Sequence, residues 1–424
     1  MSEERFGIPV GNSVAVVGDP GTGKTMLLLS FFAHAKVQNG RVTLRRDEKD
    51  NSALSVFDKL FRPQTSAVGV GQSDKAKKER PGKAEASQDQ GDTSSGEEGH
   101  LRCFVSLESG FLRLQSHYGY FLKGFVKTEN GKNKEEENDK KGGNEGNKKK
   151  DRVVIVDATS MLSGRLEDML RYPRLQHSSQ NSDNAGEPEC HIKLHLGPCG
   201  HKGGQSGRCW FWQQKDDGRD QALEELLGTD SPLTEALSDT EDGEVRKDGK
   251  AILITLLCPP VTDTGERVRL LKDLLAVLFA AGVTNQNSYN RRILALDSLS
   301  ALLHEFQSGP SDPDHAPRRL HMLNLVRWLE EQEATIFMAC EARRLENNTM
   351  RGHPLFLGTD ERYLASGVIQ LDYHRYPSGD LMRYLRVLKM RGAAHDMRGY
   401  AYDLSEKGLA WLEALFGEAQ QGGT

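Results

Sequence analysis

The chain is short of apolar residues. Hydrophobic residues make up 37% of its 424 positions and aromatics 7%, while charged residues reach 28%, so part of the length cannot be packed into a core. No apolar run comes near the roughly 18 residues that a membrane helix needs. The densest stretch, 270–283, is broken by Lys272 and Asp273 and reads as a buried amphipathic helix. An excess of positive charge is also missing: the net charge of −5 supplies no global basic field for nucleic acid or an anionic membrane. Cysteines are few (Cys103, Cys190, Cys199, Cys209, Cys258 and Cys340), and the opening residues carry no charged-then-apolar leader. That combination points to a reduced, cytoplasmic protein.

Three stretches lose hydrophobic periodicity and read as insertions into a core, at about 72–100, 129–151 and 172–250. The first has one β-branched residue, Thr93, and no aromatic; the second interleaves acidic residues with Lys148, Lys149 and Lys150, as a solvated linker does. Within the third, HIKLHL and CWFWQQ hold enough apolar residues for a small ordered unit. The expected organisation is a single domain over 1–418 interrupted by these insertions, with a flexible tail at 419–424.

What remains reads as buried strands at 13–17, 101–106, 152–157, 251–257, 292–297 and 334–340, continuous apolar runs of the kind found in parallel sheets covered on both faces. Helical patterns at 25–35, 266–281 and 318–333 separate several of them, so an α/β fold follows, with a mostly parallel central sheet flanked by helices. Toward the end, 367–373, 382–389 and 401–404 alternate as antiparallel strands. The turn Tyr376-Pro377-Ser378-Gly379 joins the first two as a hairpin.

The strongest chemical signal is Gly18-Asp19-Pro20-Gly21-Thr22-Gly23-Lys24-Thr25, a full G-x-x-x-x-G-K-T between an expected strand and an expected helix. Its glycines let the backbone curl until the N–H groups face a polyphosphate at a helix N-terminus. Lys24 is expected to reach the β- and γ-phosphates of ATP, and the Thr25 hydroxyl to ligate Mg²⁺. An acidic residue at a neighbouring strand end must help hold the metal, and both Asp297 and Asp157 follow four apolar residues, so spacing leaves the two open. Hydrolysis further asks for a carboxylate that orients water, and Glu108, just past the strand 101–106, is placed for it. The competing reading of Glu108 is a surface residue opening the next helix.

These motifs, in this order, resemble the KaiC-like branch of the RecA-superfamily ATPases. Phe6-Gly7-Ile8-Pro9-Val10-Gly11 is similar to the family's opening segment, Val105-Ser106-Leu107-Glu108-Ser109 to its strand ending in two glutamates, and Leu296-Asp297-Ser298-Leu299-Ser300-Ala301-Leu302 to its Walker B run. The resemblance assigns Asp297 to the magnesium, leaves Asp157 structural, and gives Glu108 the base role. Ser109 replaces the family's second glutamate, which implies slow turnover. Lys389-Met390-Arg391-Gly392 resembles a segment whose Lys and Arg reach a neighbouring subunit's ATP. That likeness implies a homo-oligomer, a hexameric ring, with Lys389 and Arg391 acting in trans. A regulatory or signalling ATPase is the implied function. Its alternatives are an ATP-dependent binding module with little turnover and a RadA-like recombination ATPase, which would bind DNA. One P-loop is present where clock proteins of the KaiC type carry two ATPase domains.

Two weaker signals stand apart. Cys190, His191, His195, Cys199, His201 and Cys209 are dense but poorly spaced for zinc, and read as a loop bearing Cys and His. The triplet Trp210-Phe211-Trp212 has few basic neighbours and reads as a local cluster or partner contact rather than a nucleic-acid platform.

Overall fold

The computed structural model describes residues 7–38, 40–44, 100–122, 152–162, 191–196, 209–213, 240–241, 244–245, 252–258, 261–281, 291–303, 316–342, 364–375, 379–396, 398–405 and 408–411. In chain order the first elements are β1 (Ile8–Pro9), β2 (Ser13–Gly18), α1 (Lys24–His34), β3 (Ala35–Gln38), β4 (Arg41–Leu44), β5 (Leu101–Ser106), α2 (Phe111–Leu122) and β6 (Arg152–Asp157). Then come β7 (His191–Leu196), β8 (Cys209–Gln213), β9 (Thr240–Glu241), β10 (Glu244–Val245), β11 (Ile252–Leu257), α3 (Thr264–Ala281), β12 (Arg292–Asp297) and α4 (Leu299–Leu302). The last are α5 (Ala316–Glu331), β13 (Ala334–Glu341), β14 (Gly367–Arg375), β15 (Leu381–Met390), β16 (Tyr400–Ser405) and β17 (Gly408–Trp411).

Twelve strands form one sheet in the order β17-β16-β15-β14-β2-β13-β12-β5-β6-β11-β7-β8. Its centre, from β14 through β11, is parallel throughout, and both edges are antiparallel. Side chains alternate across a strand, and here both faces are buried. Val14 and Val16 of β2 enter a core with α1 and α2, while Ala15 and Val17 enter a second core with α3, α4 and α5. Phe31 of α1 stacks on Phe337 of β13 at 4.1 Å; Leu274, Leu278, Leu325 and Leu329 fill the opposite face. The expected α/β fold, with its mostly parallel sheet, flanking helices and antiparallel C-terminal strands, is what the structure has.

Three features depart from the sequence reading. The helix expected over 25–35 stops at His34, because Ala35 turns extended (φ −61°, ψ 134°) and the chain runs on into β3, which pairs with β4 and β1 in a separate small sheet. Arg102, buried in β5, donates from Nη1 to the Phe32 carbonyl at 2.8 Å and from Nη2 to that of Ala35, so the helix end is satisfied from outside the helix. Second, β7 and β8 from the third insertion join the main sheet beside β11 rather than forming a unit of their own. Third, β17 extends the C-terminal edge past the last expected strand. The tight turn at 376–378, the insertions 72–99 and 129–151 and the tail 419–424 lie outside the described residues. Among the described residues no helix is long and apolar enough to cross a membrane.

Candidate functional site

The carboxyl ends of β2, β13, β12 and β5 gather the site, as the general rule for open α/β sheets requires. Residues 18–24 connect β2 to α1. A Cβ on Gly18 would meet the Leu371 carbonyl at 2.5 Å, and Gly23 stands at φ 92° with Leu404 2.6 Å from where its Cβ would be, so neither position admits a side chain. Gly23 is also the N-cap of α1, which has no side-chain cap; its opening amides therefore meet the loop undecorated, at the positive end of the helix dipole. Lys24 folds back over the loop, its Nζ donating to the carbonyls of Gly18 at 2.9 Å and Asp19 at 3.1 Å.

The Thr25 hydroxyl donates to Asp297 Oδ2 at 2.9 Å. Asp297 ends β12 and is 3% exposed. Burial pushes its carboxyl up to about 6, the nearby Glu108 charge adds to this, and the Thr25 bond and Lys24 oppose it. Burial likewise lowers the Lys24 ammonium, against the pull of Glu341, Glu108 and Asp297. A buried carboxylate with no buried cation bonded to it favours a positive charge nearby.

Glu108 lies exposed in the turn between β5 and α2, and the Ser298 hydroxyl donates to its Oε1. The same Ser298 oxygen accepts from the Ala301 amide at 3.1 Å as N-cap of α4, while the Leu107 amide donates to the Asp297 carbonyl at 2.6 Å. Asp297 and Glu108 are thus set by one short piece of backbone. Asp157 is differently engaged. Its Oδ2 accepts from the Phe111 amide at 2.8 Å and its Oδ1 from the amide and hydroxyl of Thr159, so its oxygens cap the start of α2 and the turn after β6. Ser109 bonds Ser106 through its amide and carbonyl.

Sequence reasoning passed over three residues here. Tyr118 interrupts α2 (φ −125°, ψ 25°); burial and the Asp297 charge raise its phenol, and the Thr25 hydroxyl opposes them. A tyrosine inside the helix, four residues before Leu122, gives no signal of this kind. Glu341, at the end of β13 opposite Gly18, is the acidic group with the largest pull on Lys24. Its position after seven apolar or small residues was a legible strand-end signal, equal to that of Asp297. Arg267, fully buried in α3, donates to the Ala301 carbonyl at 3.1 Å and the Thr264 hydroxyl at 2.9 Å, tying α3 to the segment behind Asp297.

Lys389 and Arg391 are not brought to this site. Strand β15 runs antiparallel to β14, so Lys389 pairs with Val368, which pairs with Ala15 near the start of β2. The P-loop begins at Gly18, at least three residues further along, roughly 10 Å at strand rise. Lys389 Nζ donates to the Ala365 carbonyl at 2.6 Å, and burial followed by the Arg391 charge lowers its ammonium. Arg391 is exposed. Of the Cys and His set, Cys190, Cys199 and His201 lie outside the described residues. The backbone of β7 and β8 sets His195 opposite Cys209.

The residues present fit a magnesium nucleotide. The loop is a cradle that side chains at Gly18 and Gly23 would fill, and a hydroxyl beside a buried carboxylate is an all-oxygen donor set suited to a hard cation that keeps part of its water.

Residues 245–415 match the family model "ATPase: KaiC"; the span takes in β12, β13 and the C-terminal strands, and the P-loop precedes it. Among solved structures, a KaiC-like protein from the hyperthermophilic archaeon Pyrococcus horikoshii OT3 aligns over 96% of this chain and 91% of its own, at 14% identity and a TM-score of 0.36. No curated protein matches. The family match thus covers the C-terminal part of the chain, and the G-x-x-x-x-G-K-T loop on β2 stands before it.

Proposed function

We propose that this protein binds ATP with Mg²⁺ at Gly18 to Thr25 and hydrolyses it slowly. The observation that carries the reading is the Thr25 to Asp297 hydrogen bond at the mouth of the loop, with Lys24 beside it. In this reading the amides of Gly18, Asp19, Pro20's successor Gly21, Thr22, Gly23 and Lys24 wrap the phosphates, Lys24 swings from its loop carbonyls to the β- and γ-oxygens, and Thr25 and Asp297 hold the metal and its water. The magnesium, when bound, neutralises charge on the transferring phosphoryl group. Glu108 orients the attacking water and accepts its proton, with Ser298 fixing the carboxylate.

Lys389 and Arg391, at the other end of the sheet in their own chain, serve the nucleotide of a neighbouring subunit and supply positive charge to its transition state. The protein therefore works as a homo-oligomeric ring, six-membered by resemblance, in a regulatory or signalling role in the cytoplasm. A second reading, a nucleotide-dependent binding module, draws support from Ser109 standing where the family has a second glutamate. Steady-state phosphate release decides between them. The wild type is expected to exceed Glu108→Gln and Lys24→Ala, and a wild-type rate equal to that of Lys24→Ala removes the enzyme reading.

A further inference from the structure

The P-loop is held from behind by the C-terminal antiparallel strands. Tyr402 and Leu404 of β16 are two residues apart and so share a face. The Tyr402 hydroxyl donates to the Thr22 carbonyl at 2.6 Å, a bond within the core, with the tyrosine 1% exposed. Leu404 closes against Gly23. Tyr402 lies some 380 positions from Thr22 in the chain, so nothing local makes this contact.

We propose that Tyr402 is a positioning residue of the phosphate cradle, acting through the Thr22–Gly23 peptide. In a trans peptide the carbonyl and the following N–H point in opposite directions. Tyr402 reaches the Thr22 carbonyl from the protein interior, so the Gly23 N–H is turned to the open side of the loop, where an anion is received by a nest of amides. The bond has a second effect. A donor on the carbonyl polarises the peptide and strengthens the N–H as a donor in turn. Gly23 stands at φ 92°, a conformation glycine shares with several others of nearly equal energy; the tyrosine selects one of them.

The proposal rests on nucleotide binding at this loop and is tested apart from it. Isothermal titration with magnesium ATP and with magnesium tripolyphosphate, which lacks base and sugar, compares the wild type with Tyr402→Phe. Tyr384→Phe, a hydroxyl loss on β15 whose partner is Asp372 at 3.3 Å, is the control. The Phe variant is expected to bind both ligands roughly three- to tenfold more weakly, the weight of one uncharged hydrogen bond, with the control unchanged. Hydrogen exchange of the wild-type peptide spanning 20–25 is expected to slow when tripolyphosphate is added, a result that needs no variant. Wild-type affinities in Tyr402→Phe, weakening toward ATP alone, or no slowing of exchange would each overturn the role. A wild type that takes up neither ligand removes the binding reading itself, and the role with it.

Discussion

The two ends of the parallel sheet differ in how their charged groups are held. At the carboxyl end, Lys24 donates to the loop carbonyls, Thr25 to Asp297 and Ser298 to Glu108, all within one chain. At the amino end, Lys389 donates to the Ala365 carbonyl, and Arg391 is exposed, its carbonyl accepting from the Asn12 side chain at 3.1 Å. A single chain thus gathers the proposed nucleotide-binding residues at one end of the sheet and carries Lys389 and Arg391 at the other. If the proposed function holds, binding and turnover should separate, the first a property of the single chain and the second of an assembly.

The largest effect expected from breaking this contrast is at Arg391. Removing a trans-acting arginine lowers turnover by about 10³- to 10⁵-fold where such a residue supplies transition-state charge, so Arg391→Ala should lose phosphate release and keep its nucleotide affinity in titration. Mixing it with Lys24→Ala sharpens the point. One variant keeps the seat and the other keeps the basic pair, so the mixture should recover activity that neither has alone; equal inactivity of the mixture and its parents would place Arg391 outside the reaction. Glu108→Gln comes next, with a loss of about 10²- to 10⁴-fold, the range for a positioned base, read as kcat at unchanged nucleotide affinity. Ser298→Ala should cost roughly tenfold in kcat, as the loss of one hydrogen bond to a charged group, with the same affinity retained.

A smaller and different change tests the frame rather than the site. Phe31→Ala opens a gap between α1 and β13 where two rings stack at 4.1 Å, and should lower unfolding free energy by about 3–5 kcal/mol in denaturant titration. A shift below about 1 kcal/mol would mean that this ring pair does not anchor the helix behind the P-loop.

Much of the centre was legible because burial on both faces leaves a plain record. Leu101–Ser106, Arg152–Asp157 and Arg292–Asp297 are runs of apolar residues closed by a polar one, and their bounds coincide with the expectation. The edges were not, because an edge strand depends on a partner far along the chain: β7 is defined by Ile254 opposite Leu196, and β3 by the extended turn at Ala35. At the candidate site the motif residues could be named in advance. Tyr118, Tyr402 and Arg267 could not, since each acts through a contact between distant segments and no local spacing encodes it.

In the proposed function, Gly18 to Thr25 with Asp297 seat a magnesium nucleotide. Equilibrium titration of folded protein with ATP and Mg²⁺ tests it most directly: the wild type should saturate at one nucleotide per chain, and Lys24→Ala should lose that binding. A folded wild type that takes up no ATP in the presence of Mg²⁺ would contradict it.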